Sequence, residues 1–321
     1  MRIPSRSLPI LARLAAMALA LMAAGPVQAA DKLTVLLDWF VNPNHGPLIV
    51  AQEIGAYKRA GLDVSFVQPA DPTMPPRLVA ARHGDIAIDY QPQLYQQVTN
   101  GLPLTRIGVL IDKPLSTLTT LRGNGINRIA DLRGKRIGYN EVGGPTNLAS
   151  IATMLSTTGL TMNDVQLVNV GTALTTSLLV HRVDAVGVDR NFETFELIDK
   201  GAQPIGFDYE KFGVPTYEDL VIVVNKAAVR DPRYRRFLFA VKEGAAYIKA
   251  HPQESWQLFI RAYPNLNNKL NHDAWNFTTP YFAADPTAFD KPKYLRFGAW
   301  LTAKKVIKFN PALESYTTDL R

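Results

Sequence analysis

Four short stretches of this chain bring together side chains that could recognise a small flat ligand. Asp38-Trp39-Phe40-Val41-Asn42-Pro43-Asn44-His45 crowds a carboxylate, an indole, amides and an imidazole into one turn-rich segment. Tyr90-Gln91-Pro92 adds a phenol and an amide. Gly143-Gly144-Pro145-Thr146 is a tight turn opening a helix, whose bare N–H groups can meet an anion or a carbonyl oxygen. Asp189-Arg190-Asn191-Phe192-Glu193 supplies two further carboxylates, and Glu193, with Asn191 beside it, can accept hydrogen bonds from an exocyclic amine. Trp39 and Tyr90 are suited to clamping a ring, at roughly 1–3 kcal/mol per stacked face. Each feature also has a purely structural reading. Trp39 and Tyr90 can cap a sheet edge, the Gly-Gly-Pro-Thr segment can be a plain turn, and Glu193 can be a solvated acid on a first helical turn, where negative charge is favoured.

The same inventory excludes other chemistries. With no cysteine among 321 residues there is no disulfide, thiolate metal site, iron–sulfur cluster or cysteine nucleophile. The five histidines show no HExxH or HxH spacing, so no metal is expected; His45 is retained only because it lies in the Asp38–Pro47 loop. There is no Gly-x-Ser-x-Gly elbow and no Gly-Lys-Ser/Thr phosphate loop, and no cofactor is expected. The net charge is +7, but the basic residues are scattered without interleaved aromatics, so no nucleic-acid partner is expected.

The elements that must position these residues follow a repeated grammar. Residues 1–29 have a basic start (Arg2, Arg6, Arg13), the apolar run 14–24 and the small-residue site Val27-Gln28-Ala29, as in a cleaved secretory signal peptide. Its removal leaves a net charge of +4, and the run is short of the roughly 20 residues that span a bilayer, so the product is expected outside the membrane. Strands are predicted at Leu33–Leu37, Asp63–Val67 and Asp85–Tyr90, with helices at Leu48–Ala60 and Arg77–Arg82. The pattern restarts with strands Arg136–Tyr139, Val165–Val170 and Ala185–Val188 around helices Asn147–Ser156 and Ala173–His181. Extended segments at Leu104–Ile111, Ser116–Leu121 and Asp219–Val224 flank the second unit and suggest a two-strand hinge. Helices are predicted at Tyr234–Ala250, Pro252–Ala262, Asp273–Phe282 and Lys293–Ala303. The expected architecture is α/β in two lobes, each a sheet flanked by helices: 30–117 with 223–321 as the first, 118–222 as the second. Open α/β sheets bind ligands beyond the carboxyl ends of their strands, and pockets favour domain interfaces. That places Asp38, Trp39, Asn42, Tyr90 and Gln91 opposite Glu141–Thr146 and Asp189–Glu193.

The segments Leu37-Asp-Trp-Phe-Val-Asn-Pro-Asn-His45, Val50-Ala-Gln-Glu-Ile-Gly55 and Asp89-Tyr-Gln-Pro92, with Leu132-Arg-Gly-Lys135 and Gly213-Val-Pro-Thr-Tyr-Glu-Asp-Leu220, resemble the NMT1/THI5-like group of thiamine-precursor proteins across residues 33–265. The resemblance implies a type II periplasmic binding protein fold. It also implies the solute-binding component of an ABC importer for formylaminopyrimidine or hydroxymethylpyrimidine, working as a monomer in the periplasm with permease and ATPase subunits as partners. By the same likeness Trp39 and Tyr90 become the ring-stacking pair, Asn191 and Glu193 the group meeting the pyrimidine amine, Gly143 and Gly144 the cleft turn, and Tyr217 part of the return to the hinge.

The group also contains an enzyme, the hydroxymethylpyrimidine phosphate synthase, which this chain resembles over the same span. The lysine that holds pyridoxal phosphate there falls at Asp89 and the histidine it consumes at Gln93, and its cysteine-rich loop has no counterpart. A carboxylate cannot form a Schiff base. Asp189 and Arg190 stand where pyrimidine binders often carry aromatics, which keeps a flavin, an aromatic acid or a sulfonate open as ligands.

Overall fold

The computed structural model describes residues 29–141 and 144–321. The expected leader, apart from its last residue Ala29, and Gly143 lie outside the described residues.

The chain opens with β1 (Asp31–Leu36), a 3-10 turn (Pro43–His45), α1 (Gly46–Glu53), α2 (Ala56–Arg59), β2 (Leu62–Val67), α3 (Pro75–Ala80), β3 (Ile86–Tyr90), α4 (Gln91–Thr99) and β4 (Leu104–Ile111). The helix expected over 48–60 is two helices, because Gly55 sits in the left-handed region at φ 74°, a conformation glycine adopts without steric cost. Its start is earlier than expected. The Asn42 side chain accepts the Asn44 N–H at 2.8 Å, capping the 3-10 turn that leads into α1. α4 was not anticipated; Pro92 in its first turn is preset for a helix start.

The second unit runs β5 (Ser116–Leu121), β6 (Arg136–Tyr139), α5 (Gly144–Ser156), β7 (Gln166–Asn169), α6 (Leu174–Leu179), β8 (Ala185–Asp189), α7 (Glu193–Asp199) and β9 (Pro204–Asp208). β9 was also not anticipated; it lies at the sheet edge and begins on a proline, a position proline tolerates. β10 (Leu220–Asn225) returns the chain to the first sheet. The tail holds α8 (Pro232–Ala250), α9 (Pro252–Ala262), α10 (Lys269–Thr278) and α11 (Lys291–Ala303). α10 starts four residues before the expected Asp273, where Asn268 caps the Asn271 N–H at 2.9 Å.

Two five-stranded sheets result, in the orders β2-β1-β3-β10-β4 and β7-β6-β8-β5-β9. In each, three parallel strands make one side of the sheet, and an antiparallel returning strand, β10 or β5, lies between them and an edge strand, β4 or β9. All six residues of β10 are buried, as a central strand covered on both faces requires. Leu33, Val35 and Ile222 of the first sheet share a core with Leu48 of α1, Phe237 of α8 and Phe259 of α9. The chain crosses between sheets at 112–115 and 213–219. Ser116 and Thr117 pair with β8 and β9, and Leu220 to Ile222 pair with β3 and β4. The crossings therefore differ by a few residues from the expected 117/118 and 222/223, because a hydrogen-bonded ladder takes a strand as a whole. Among the described residues no helix is long and apolar enough to cross a membrane.

Candidate functional site

β1 and β3 are adjacent and parallel, so the segments leaving their carboxyl ends emerge side by side. Asp38, two residues past β1, is almost fully buried and accepts at both oxygens. The Tyr90 hydroxyl donates to Oδ2 at 2.7 Å and the His45 Nε2 bonds Oδ1 at 3.0 Å. The Asn42 N–H donates to His45 Nδ1 at 3.2 Å, which leaves the ring proton on Nε2, pointed at Asp38. Burial and the Asp38 charge raise the Tyr90 phenol well above its ordinary value, so it stays protonated and keeps donating.

The facing wall comes from the second sheet. Asp189 ends β8 and Glu193 begins α7; the Asp189 N–H donates to Glu193 Oε2 at 3.1 Å. Burial raises both carboxyls, and neighbouring charge adds to it, Asp189 acting on Glu193 and Asp38 on Asp189. Gly187 of β8 is required here: a Cβ on it would lie 2.7 Å from the Tyr209 hydroxyl and 3.0 Å from Asn147 Nδ2. Arg190 turns away from this wall. Its guanidinium pairs with Glu210 at 2.9 Å and Asp208 at 3.0 Å and also donates to the Pro114 carbonyl in the first crossing.

Between the walls lies a cavity of about 110 Å³, the room of a few water molecules and of one small ring. Of the residues expected in the site, Asp38, Trp39, Asn42, Tyr90 and Glu193 line it. Asn44, Gln93, Asn147, Phe192, Tyr209 and Asp189 line it as well. Asp189 had been placed among strand-end candidates, Asn44 within the loop and Phe192 within the last stretch; Gln93, Asn147 and Tyr209 were missed. Asn147 carried a usable signal, since it lies on the first turn of an expected helix that opens at the cleft; Gln93 carried none, because its helix, α4, has no periodic pattern. Tyr209 carried none.

The remaining expected residues sit elsewhere. His45 is fully buried behind Asp38. Gln91 is directed to the second crossing, where its Oε1 accepts the Glu218 N–H at 2.7 Å, and Glu218 is itself bound by the buried Arg106 at 3.1 Å. Tyr217 is buried with its ring 5.0 Å from Phe297. Asn191 is wholly buried and links the lobes, its amide donating to Asn44 Oδ1 and, at 2.7 Å, to Thr278 Oγ1. Thr146 is a second link, accepting from Gln96 at 2.8 Å. Gly144 lines an adjoining cavity of about 470 Å³ that shares Tyr90 and Gln93 with the first. Among the described residues no group of three or more His, Asp or Glu side chains could hold a metal ion.

Residues 42–255 match the family described as NMT1/THI5 like. A thiamine biosynthesis protein of Haemophilus influenzae is 42% identical over 302 residues, covering 94% of this chain and 96% of that one. A formylaminopyrimidine-binding protein of Halalkalibacterium halodurans is 31% identical over 246 residues, covering 76% and 74%. A 4-amino-5-hydroxymethyl-2-methylpyrimidine phosphate synthase of Legionella pneumophila is 27% identical over 257 residues, covering 79% and 80%. Among solved structures, the alkanesulfonate-binding protein of Xanthomonas axonopodis superposes with a TM-score of 0.69 at 14% identity, over 89% of this chain and 98% of that one. A motif-bearing sequence, two sheets joined by two crossings and a polar–aromatic cavity between them all agree with these matches: the chain belongs to the NMT1/THI5-like family and has the fold of the periplasmic substrate-binding proteins.

Proposed function

We propose that this protein is the solute-binding component of an ABC importer and holds an aminopyrimidine of the thiamine-precursor class, formylaminopyrimidine or hydroxymethylpyrimidine, between its lobes. One observation carries the reading. The cavity sets Trp39 and Tyr90 on one wall against Asp189 and Glu193 on the other, and no Lys or Arg is among the described residues lining it. Such a site offers an aromatic face to a ring and acceptors to its amine, and it disfavours sulfonates and carboxylates, whose charge would meet like charge. A cavity of about 110 Å³ suits a single ring better than the three fused rings of a flavin. The relative named for formylaminopyrimidine binding supports the same ligand class.

In this reading the leader directs the chain to the periplasm, the 112–115 and 213–219 crossings act as the hinge, and closure presents both lobes to the permease, which its ATPase drives from the other side of the membrane. The reading has no catalytic role. The residues do not fit a pyridoxal phosphate Schiff base, since position 89 carries a buried carboxyl hydrogen-bonded to Gln97 at 3.2 Å.

A thermal-shift series on the mature protein tests the assignment. Hydroxymethylpyrimidine or formylaminopyrimidine should raise the melting temperature, while ethanesulfonate, benzoate and riboflavin leave it unchanged. Stabilisation by a sulfonate or flavin alone would overturn it.

A further inference from the structure

Basic residues, scattered over most of the chain, gather at α11 and the loop that follows it. Residues 291–309 hold six Lys and Arg and no Asp or Glu, more positive charge than the +4 expected for the whole chain after removal of the leader. Lys293 is engaged, donating to the Asp112 carbonyl at 2.7 Å. Lys291, Arg296, Lys304, Lys305 and Lys308 are exposed, and their side chains have no partner among the described residues. The helix they surround is apolar on both sides. Tyr294, Phe297, Gly298 and Leu301 turn inward and are buried. At about 100° per residue, Pro292, Leu295, Arg296, Ala299 and Ala303 share the outer face, and all five are exposed. Only Arg296 among them is polar, whereas a helix facing water carries polar residues outward. The loop then folds back along the helix. Lys305 adopts the left-handed conformation at φ 60°, the Val306 N–H donates to the Leu301 carbonyl at 2.9 Å, and Asn310 comes against Gly298, leaving no room for a Cβ there. Its neighbours Lys308 and Phe309 are thereby held beside α11, one turn from Leu295. Phe309 is 56% exposed and Leu295 44%.

We propose that α11 and the 304–309 loop form a docking face for a lipid bilayer bearing anionic headgroups, with Leu295 and Phe309 against its apolar boundary and the five free cations on its phosphates. Charge complementarity selects the occupant. A cationic rim around an apolar ridge calls for an anionic surface, and a second copy of this chain would bring the same cations face to face. A folded partner would need a groove matched to a convex helix. A fluid bilayer needs none, and Lys stems can lie along its apolar boundary with their ammonium groups among the headgroups. Each cation near such a surface strengthens binding roughly fivefold. The face is separate from the cleft, since none of its residues lines either cavity. It is fixed to both crossings, through Lys293 to Asp112 and through the Tyr294 hydroxyl, which donates to Glu218 at 2.6 Å. The proposal therefore stands whatever solute the cleft holds.

Vesicle flotation of the mature protein tests the face. At low salt the protein should float with vesicles of equal parts phosphatidylcholine and phosphatidylglycerol, stay behind with phosphatidylcholine alone, and be released by high salt. The double variant Lys304→Ala, Lys308→Ala should bind the anionic vesicles about 25-fold more weakly. Leu295→Ser with Phe309→Ser should weaken binding severalfold and leave its salt dependence unchanged. Lys58→Ala with Lys249→Ala removes the same charge from exposed lysines elsewhere and should stay near wild type. All these positions are exposed, and melting temperatures confirm that each variant is folded. Equal binding to neutral and anionic vesicles, or an equal loss from the Lys58 and Lys249 pair, would overturn the proposal. So would binding to native inner-membrane vesicles but not to protein-free lipid, which would assign the face to a protein partner.

Discussion

The Tyr90 hydroxyl donates to Asp38 Oδ2 at 2.7 Å, and this bond fixes an aromatic face of the cleft from behind. His45 holds the other Asp38 oxygen at 3.0 Å, so both carboxylate oxygens already meet protein donors that orient the wall. The acceptors left for a ligand are on the opposite lobe, at Asp189 and Glu193.

Removing the ring clamp should cost more binding than loosening its support. Trp39→Ala should weaken an aminopyrimidine by about 1–3 kcal/mol through lost stacking. Tyr90→Phe keeps the ring but strands Asp38 Oδ2, so it should lower stability by about 1–3 kcal/mol and affinity by less than Trp39→Ala. Calorimetry and urea unfolding on the two variants give the comparison; equal affinity for Trp39→Ala and wild type would place the ring elsewhere.

Compared above pH 8, where the Glu193 carboxyl raised to about 8 by burial has lost its proton, Glu193→Gln should weaken a ligand carrying the exocyclic amine by about 1–3 kcal/mol, since a charge-assisted hydrogen bond becomes a neutral one. An analogue with a carbonyl oxygen in place of the amine never made that bond and should be affected much less. Titration of both ligands against both proteins reads the difference, and a uniform loss would take the amine contact away from Glu193.

Asn191→Ala should open the lobes. The substitution leaves Asn44 Oδ1 without its donor and removes the bond to Thr278, two links between the lobes. Solution scattering should show a larger radius of gyration for the ligand-free variant than for the ligand-free wild type, with the wild-type radius restored at saturating ligand. An unchanged radius would mean that Gln96–Thr146 and the hinge contacts hold the lobes by themselves.

Asp89 predicts a pH dependence of stability. Burial, with the Asp38 charge adding to it, pushes its carboxyl from 3.8 up to about 7. The folded state therefore holds a proton between about pH 4 and 7 that the unfolded chain has released. The stabilisation this confers is full below pH 4 and is lost as pH rises through 7. Asp89→Asn abolishes the titration, so its stability relative to wild type should improve by up to about 4 kcal/mol between pH 4 and 8. Denaturant midpoints of both proteins across that range check the sign; a difference that stays constant with pH would show that Asp89 does not titrate there.

How much of this was legible in the sequence follows from the range of the forces involved. β-α-β grammar depends on local periodicity and turn chemistry, so the strands, the second unit and most of the tail helices could be read directly, and with them Asp38, Trp39 and Tyr90 at the ends of adjacent strands. Short elements without a periodic pattern, α4 and β9, could not. Missing α4 misdirected the reading of Gln91. Once α4 starts at that residue, positions 91 and 93 point about 200° apart around the helix, so Gln91 meets Glu218 at the crossing while Gln93 reaches the cleft.

By itself the sequence determined the two-unit α/β order, the family and the strand-end aromatics, because each of these is written in runs of neighbouring residues. Only the tertiary structure decided what each polar side chain faces. It turned Arg190 to Glu210 and Asp208, bonded Asn191 to Asn44 and Thr278 across the lobes, and brought Tyr209 and Asn147 against Gly187. Those partners lie far apart in the chain, and which of them meet is set by how the two sheets close on one another, a many-residue packing balance that no local pattern encodes.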